Sequence, residues 1–146
     1  MSRFLTFKTA GLSFAADFDD VLRIIAAADT EISPAPGFPP YMPGTAAIEG
    51  EAVPVIDTAK RFGIGDKVTG ERSCCILSRL DPSSGMSGRY EVCAVLVDEI
   101  TGIIEADRLS PPPALNSDSY ARYMKGTIIM ENITYYVISP ELLASS

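Results

Sequence analysis

Apolar and polar residues alternate over many short segments of this chain, and turn-forming residues separate those segments. Residues 4–7 and 12–15 flank Thr9-Ala10-Gly11 and predict a first hairpin. Between residues 18 and 25 the apolar positions are 18, 21, 22 and 25, a spacing that predicts a short helix capped by Asp17.

The middle of the chain predicts a loop, a second hairpin and a helical turn. Five prolines between residues 34 and 43 predict an extended connection, because proline cannot donate to a central sheet ladder. Residues 46–48 and 52–57 flank Glu49-Gly50-Glu51 and predict the hairpin. Its returning strand contains Pro54 and is therefore expected at an edge or a bulge. A helical turn over residues 58–62 is expected to end at Gly63.

The second half of the chain predicts further strands and a final helix. Residues 73–79, 90–97 and 100–105 predict three strands, with a polar loop over residues 81–88. A last hairpin turns at Glu131-Asn132, and Ser139 is expected to cap a helix that begins at Pro140. Many short strands and little helix predict an all-β fold of one barrel or a pair of barrels.

Composition excludes several classes of function. The net charge is −7, so neither nucleic acid nor an anionic membrane surface is an expected partner. The chain contains no histidine, which excludes serine and cysteine sites that need a histidine base, and histidine-ligated metals. Three cysteines, two of them adjacent, do not form a disulfide framework and favour a reducing cytoplasm. The N-terminus does not resemble a signal peptide, and the longest apolar run, residues 93–97, is too short to span a membrane.

The motifs that would carry chemistry are incomplete. Residues 65–71 have the glycine spacing of a phosphate-binding loop, but Glu71 stands where that loop needs lysine. Asp57-Thr58-Ala59 resembles half of an aspartic protease site, and a homodimer would have to supply the second carboxylate. The alternative is a strand-end Asp57 that caps the following turn. Because no residues predict a catalytic centre, a cofactor or a metal site, a binding module is expected.

Four segments, in order, resemble the CheW family of chemotaxis adaptor proteins. Residues 4–25 are similar to the family's opening strand pair and V-x-E-I segment, and residues 95–104 to its G-L-x-V-D-x-V-x-x-V. Residues 48–63 resemble N-L-R-G-x-x-x-P-V-I-D-L-x-x-x-F-G, and residues 123–143 complete the match. The resemblance implies one domain, residues 1–146, made of two packed five-stranded SH3-like barrels with short helices, including a C-terminal one.

The resemblance also implies a non-catalytic adaptor without cofactors. Such a protein joins the cytoplasmic tip of a chemoreceptor to a CheA-type histidine kinase, at receptor arrays that are attached to the membrane through these partners. The residues expected to contact partners are Val21, Arg23, Ile24, Ile48, Glu49, Gly50, Val53, Ile56, Val97, Asp98 and Ile100.

Two charges depart from the family pattern. Glu49 stands where the family usually has the arginine of N-L-R-G, and Arg23 where it has the glutamate of V-x-E-I. One hypothesis is that the reversals compensate each other at one partner surface and select similarly divergent partners. Two alternatives stay open: a CheW-fold protein uncoupled from the kinase that serves another motility pathway, and a homodimeric aspartic protease using Asp57.

Overall fold

The structure, a computed structural model, describes residues 1–80, 90–112 and 119–145, so the predicted loop over residues 81–88 lies outside the described residues. The described part of the chain forms mainly short strands and two single-turn α-helices. These elements are β1 Ser2–Thr9, β2 Leu12–Asp17, β3 Val21–Ala26, β4 Ile32–Ser33, β5 Gly44–Ile48, β6 Glu51–Asp57, α1 Thr58–Phe62, β7 Cys74–Arg79, β8 Val92–Val97, β9 Glu99–Ala106, β10 Met124–Met130, β11 Ile133–Ile138 and α2 Pro140–Ala144.

The predicted all-β class and the three hairpins are confirmed. The turn of the second hairpin is Glu49-Gly50 and that of the third is Glu131-Asn132, and all four residues have positive φ. A two-residue turn needs this backbone to match the twist of its strands. Pro54 precedes the part of β6 that pairs with β8, so it lies where the strand has one neighbour, as expected.

The predicted helix over residues 18–25 is wrong. Only Phe18–Asp20 forms a 3-10 turn, and the Asp17 side chain caps it by accepting from the Asp19 backbone N–H at 3.0 Å. The following residues form strand β3, which pairs antiparallel with β7. Sheet pairing explains the outcome, since branched aliphatic residues suit an edge strand and tertiary contacts override local periodicity.

The strands form two sheets. The first has the order β10-β11-β2-β1-β9, and the second has the order β3-β7-β8-β6-β5-β4. The sixth strand of the second sheet is the two-residue β4, which pairs with β5. Both sheets curl: Ile128 of β10 and Ile104 of β9, on opposite edges of the first sheet, pack in one cluster with Phe4.

Three apolar clusters follow from the alternation of side chains along these strands. One lies inside the first sheet around Phe4 and Val137, and another inside the second sheet around Val55 and Leu77. The largest, which we call the central cluster, lies between the two sheets. Its fully buried members include Phe7, Phe14, Phe62, Ile76 and Val95. Each central strand therefore contributes side chains to two apolar clusters. The accessible surface is formed mainly by edge strands and turns.

Candidate partner-binding site

Arg23 and Glu49 form an ion pair between two segments of the second sheet that are distant in sequence. Arg23 lies on the edge strand β3, and Glu49 lies in the β5–β6 turn, 26 residues away. The Arg23 Nη1 atom donates to Glu49 Oε1 at 2.7 Å. The two reversed charges thus contact each other, as the hypothesis of compensation requires, and the contact joins edge strand β3 to the β5–β6 turn.

Local sequence explains why these side chains meet. Gly50, with φ 82°, lets the turn close directly after β5, and Glu49 has φ 52°. On the other side, the ladder between β3 and β7 shifts register between Val21 and Arg23. Such an irregularity bends an edge strand and redirects its side chains.

A groove of about 340 Å³ lies beside the ion pair, and we call it the clasp groove. The clasp groove is lined by Leu22, Arg23, Ile48, Glu49, Glu51, Val53, Leu77 and Val92. Val53 and Leu77 are almost fully buried, whereas Leu22 is 44% exposed. An apolar floor with charged residues at its rim is the usual anatomy of a protein–protein contact.

Several predicted residues belong to this surface. Ile48 and Val53 line the clasp groove, Gly50 is exposed in the adjoining turn, and Ile24 is 41% exposed further along β3. Val21 is half-buried and packs against the central cluster. A second depression of about 330 Å³, on the other side of the pair, includes Asp29 and Thr30 in its lining.

Sequence reasoning missed four residues of the clasp groove: Leu22, Glu51, Leu77 and Val92. Leu22 is one of the apolar positions whose spacing predicts a helix over residues 18–25. The strand that forms instead exposes it. An edge-strand reading of the run from Val21 to Ile25, which is rich in branched aliphatic residues, is the signal that would have found it.

Two predicted partner residues require correction, because Ile56 and Val97 are fully buried in the central cluster. The reason is that successive side chains of a strand point to opposite faces. Val55 points into the cluster inside the second sheet, so its neighbour Ile56 points toward the first sheet and into the central cluster. Their side chains therefore present no surface to a partner. Ile100 is half-buried against the same cluster.

Asp98 helps to connect the two sheets. It lies between β8 of the second sheet and β9 of the first. Its carboxylate accepts from the backbone N–H of Ala10 at 2.8 Å and from that of Thr69 at 3.3 Å. These bonds tie the β1–β2 turn to the loop that precedes β7, which gives Asp98 a structural role in the chain itself.

Asp57 caps the helix that follows it. It is 4% exposed, and its carboxylate accepts from the backbone N–H groups of Lys60 at 3.2 Å and Val68 at 3.0 Å. Buried and occupied in this way, it cannot meet a second aspartate across a dimer axis. The geometry supports the capping interpretation and argues against the aspartic protease.

The described cysteines are not arranged for chemistry. Burial raises the pKa of Cys75 to about 11 and that of Cys93 to about 12, so both thiols stay protonated at neutral pH. Burial also raises the pKa of Cys74. Over residues 1–80, 90–112 and 119–145, no group of three or more potential metal-ligating side chains comes together. No helix in these ranges is long and apolar enough to cross a membrane.

The family model of the CheW-like domain matches residues 3–146, nearly the whole chain. The chain belongs to the CheW-like domain family. A relative named "Probable chemotaxis protein CheW", from Rhizobium etli, is 26% identical over 112 residues, which cover 75% of this chain and 67% of the relative. The predicted membership in this adaptor family is confirmed.

A solved CheW structure shows the same architecture. The scaffolding protein TtCheW from Thermoanaerobacter tengcongensis superposes with a TM-score of 0.84 at 22% identity, covering 99% of this chain and 88% of that one. The predicted fold of two SH3-like barrels is confirmed by this CheW-like match. In this CheW-like domain, the clasp groove opens on the second of the two sheets.

Proposed function

We propose that this CheW-like domain is a non-catalytic adaptor in chemotaxis signalling, which couples chemoreceptors to a CheA-type histidine kinase. The observation that carries the proposal is the clasp groove. Two segments that resemble different family motifs, around Arg23 and around Glu49, meet there in an exposed ion pair beside an apolar floor. Family membership supplies the class of function, and the groove supplies a surface suited to a protein partner.

The arrangement of the chain supports binding rather than catalysis. Its buried polar groups serve the fold: Asp57 caps α1, and the Thr58 hydroxyl donates to the Leu96 carbonyl at 2.8 Å. Exposed aliphatic side chains, by contrast, lie on edge strand β3, where Leu22 is 44% and Ile24 is 41% exposed. An edge strand with apolar side chains is a natural docking element for another protein. Through its partners, the adaptor would act at receptor arrays on the cytoplasmic side of the membrane.

Reconstitution tests this function. Membranes that contain the chemoreceptors of the same organism are mixed with its CheA-type kinase, and autophosphorylation is measured with and without this protein. We expect the protein to co-sediment with the receptor membranes, to recruit the kinase to them, and to raise the autophosphorylation rate at least tenfold. If the protein retained neither kinase nor receptors, the proposed function would be refuted.

The reversed charges favour a second candidate, an adaptor uncoupled from the kinase that serves another motility pathway. Juxtaposed like charges cost several kcal/mol at an interface, so Arg23 and Glu49 would reject a kinase built for the usual charge order. In the reconstitution, this candidate predicts that receptors are bound while the kinase stays in solution. Recovery of both partners would exclude it.

A further inference from the structure

Strand β3 and the last residues of β5 lie side by side without being paired. In the described part of the chain, β3 forms a ladder with β7 alone, and β5 pairs with the short β4 only before Ala47. Ala47 and Ile48 therefore have β6 as their one neighbouring strand. They line the second depression together with Arg23 and Ile25 of β3. We call the unpaired boundary between these two segments the seam.

The Arg23–Glu49 pair closes the seam. Among the described residues, it is the one ion pair or side-chain hydrogen bond that joins β3 to the β5–β6 hairpin, with a length of 2.7 Å. The clasp groove, of about 340 Å³, and the second depression, of about 330 Å³, are both lined by Arg23, Ile48 and Glu49. These three side chains therefore form the partition between the two spaces.

Both spaces lead toward the apolar cluster inside the second sheet. Val53 and Leu77, which line the clasp groove, are buried members of this cluster. Ile25 and Ile48, which line the second depression, pack against it. Cys75 is a fully buried member of the same cluster and is the partner of Ile25 in the β3–β7 ladder. The partition thus stands above one continuous apolar interior.

We propose that the Arg23–Glu49 pair is a latch, a contact whose breaking lets the β5–β6 turn move away from β3 and joins the two spaces into one trough. Both side chains are more than half exposed, so water competes for their charges and the contact breaks readily. The turn can move locally because no strand ladder among the described residues crosses the seam. The pair thereby sets the depth of the clasp groove. The inference concerns this chain alone and does not depend on the proposed function.

Cys75 is a built-in reporter of the latch. Its thiol forms a hydrogen bond with the side chain of Thr30, and Thr30 lines the second depression. Cys93 is equally buried, but it belongs to the central cluster between the sheets. Opening of the seam should therefore expose Cys75 to a thiol reagent and leave Cys93 protected, whereas global unfolding exposes both thiols.

Thiol-labelling kinetics of charge variants of the full chain test the latch. All chains carry Cys74→Ala, because Cys74 is only half-buried and would react by itself. With the native pair in place, the closed latch should keep Cys75 as unreactive as Cys93. Glu49→Arg removes the attraction and brings two cations together, so Cys75 should be labelled about fivefold faster while Cys93 is unchanged. R23E/E49R can form the pair in reverse order and should return the Cys75 rate to within about twofold of the slow one.

Glu131→Arg is the matched control. Like Glu49, Glu131 is exposed and occupies the first position of a two-residue hairpin turn, with the same φ of 52°. It lies in the β10–β11 turn of the other sheet, so its substitution should leave the Cys75 rate unchanged. Thermal unfolding midpoints show whether each variant is folded. If Glu49→Arg does not fold, Glu49→Gln removes the attraction alone and should speed Cys75 labelling about twofold.

Three results would overturn the latch. The first is an unchanged Cys75 rate in a folded Glu49→Arg or Glu49→Gln variant. The second is equal acceleration of Cys75 and Cys93, which would mean that the substitution destabilises the whole fold. The third is a double variant R23E/E49R that is labelled as fast as Glu49→Arg, since the restored pair should close the seam again.

Discussion

Arg61 is expected to fasten the C-terminal helix to the rest of the molecule. It lies on α1, and its guanidinium carbon is 3.7 Å from the ring centroid of Tyr41 and 4.5 Å from that of Tyr123. Its Nε donates to the Leu143 carbonyl at 3.0 Å, and its Nη2 donates to the Ser145 carbonyl. One planar cation thus contacts the proline-rich connection, the turn before β10 and the end of α2.

The magnitude follows from these contacts. A hydrogen bond from a charged donor contributes about 1.5–3 kcal/mol, and a cation stacked on an aromatic ring about 0.5–2 kcal/mol. When the side chain is removed, water replaces part of these interactions, because Arg61 is only half-buried. We expect Arg61→Ala to lower the free energy of unfolding by about 3 kcal/mol. At about 2–4 °C per kcal/mol, the melting temperature should fall by about 6–12 °C.

Urea denaturation followed by circular dichroism measures this loss. Arg61→Lys should recover less than half of it, because an ammonium neither stacks as a plane nor donates in two directions. Arg72→Ala is the control: its side chain is 85% exposed and its ion pair with Glu99 is 3.7 Å long, so the loss should be below about 0.5 kcal/mol. The reasoning would be refuted if Arg61→Ala had the same free energy of unfolding as the unsubstituted chain, or if Arg61→Lys restored that free energy fully.

Four further predictions concern buried groups. Gly44→Ala should cost more than about 3 kcal/mol or prevent folding, because a Cβ there would lie 2.0 Å from a backbone oxygen of β4. Asp57→Asn should lower stability by about 1–3 kcal/mol through weakened capping, without changing partner affinity. In native protein at pH 8 a thiol reagent should modify Cys74 first, with Cys75 and Cys93 reacting only on unfolding. Stability should fall as pH rises from about 9 toward 11, since unfolded thiols ionise before these buried ones do.

Each of these predictions has its own check. Gly11→Ala is a milder control for Gly44→Ala, since φ is positive at Gly11 as well but nothing lies within 4 Å of an added Cβ. Partner affinity that fell with Asp57→Asn in a folded variant would contradict its purely structural role. Equal labelling rates for all three thiols, or stability that rises between pH 9 and 11, would contradict the burial of Cys75 and Cys93.

The sequence alone determined the elements whose signals are local. Glu49-Gly50-Glu51 and Glu131-Asn132 predicted two tight turns, because each contains a residue, Gly50 or Asn132, that tolerates the positive φ such turns need. Ser139 and Pro140 predicted the start of α2, where the Ser139 hydroxyl accepts from the Leu142 N–H. The family motifs extended these local predictions to the whole fold and brought the segments of Arg23 and Glu49 into consideration.

Tertiary structure decided which of those residues reach the surface. Ile56 and Val97 belong to motif-like segments, yet the packing of one sheet on the other buries both, and no local pattern distinguishes a central core from an outer face. The same packing turned residues 21–26 into edge strand β3 and exposed Leu22. It also brought Arg23 and Glu49 to 2.7 Å, because the curl of a sheet is a property of all its strands together.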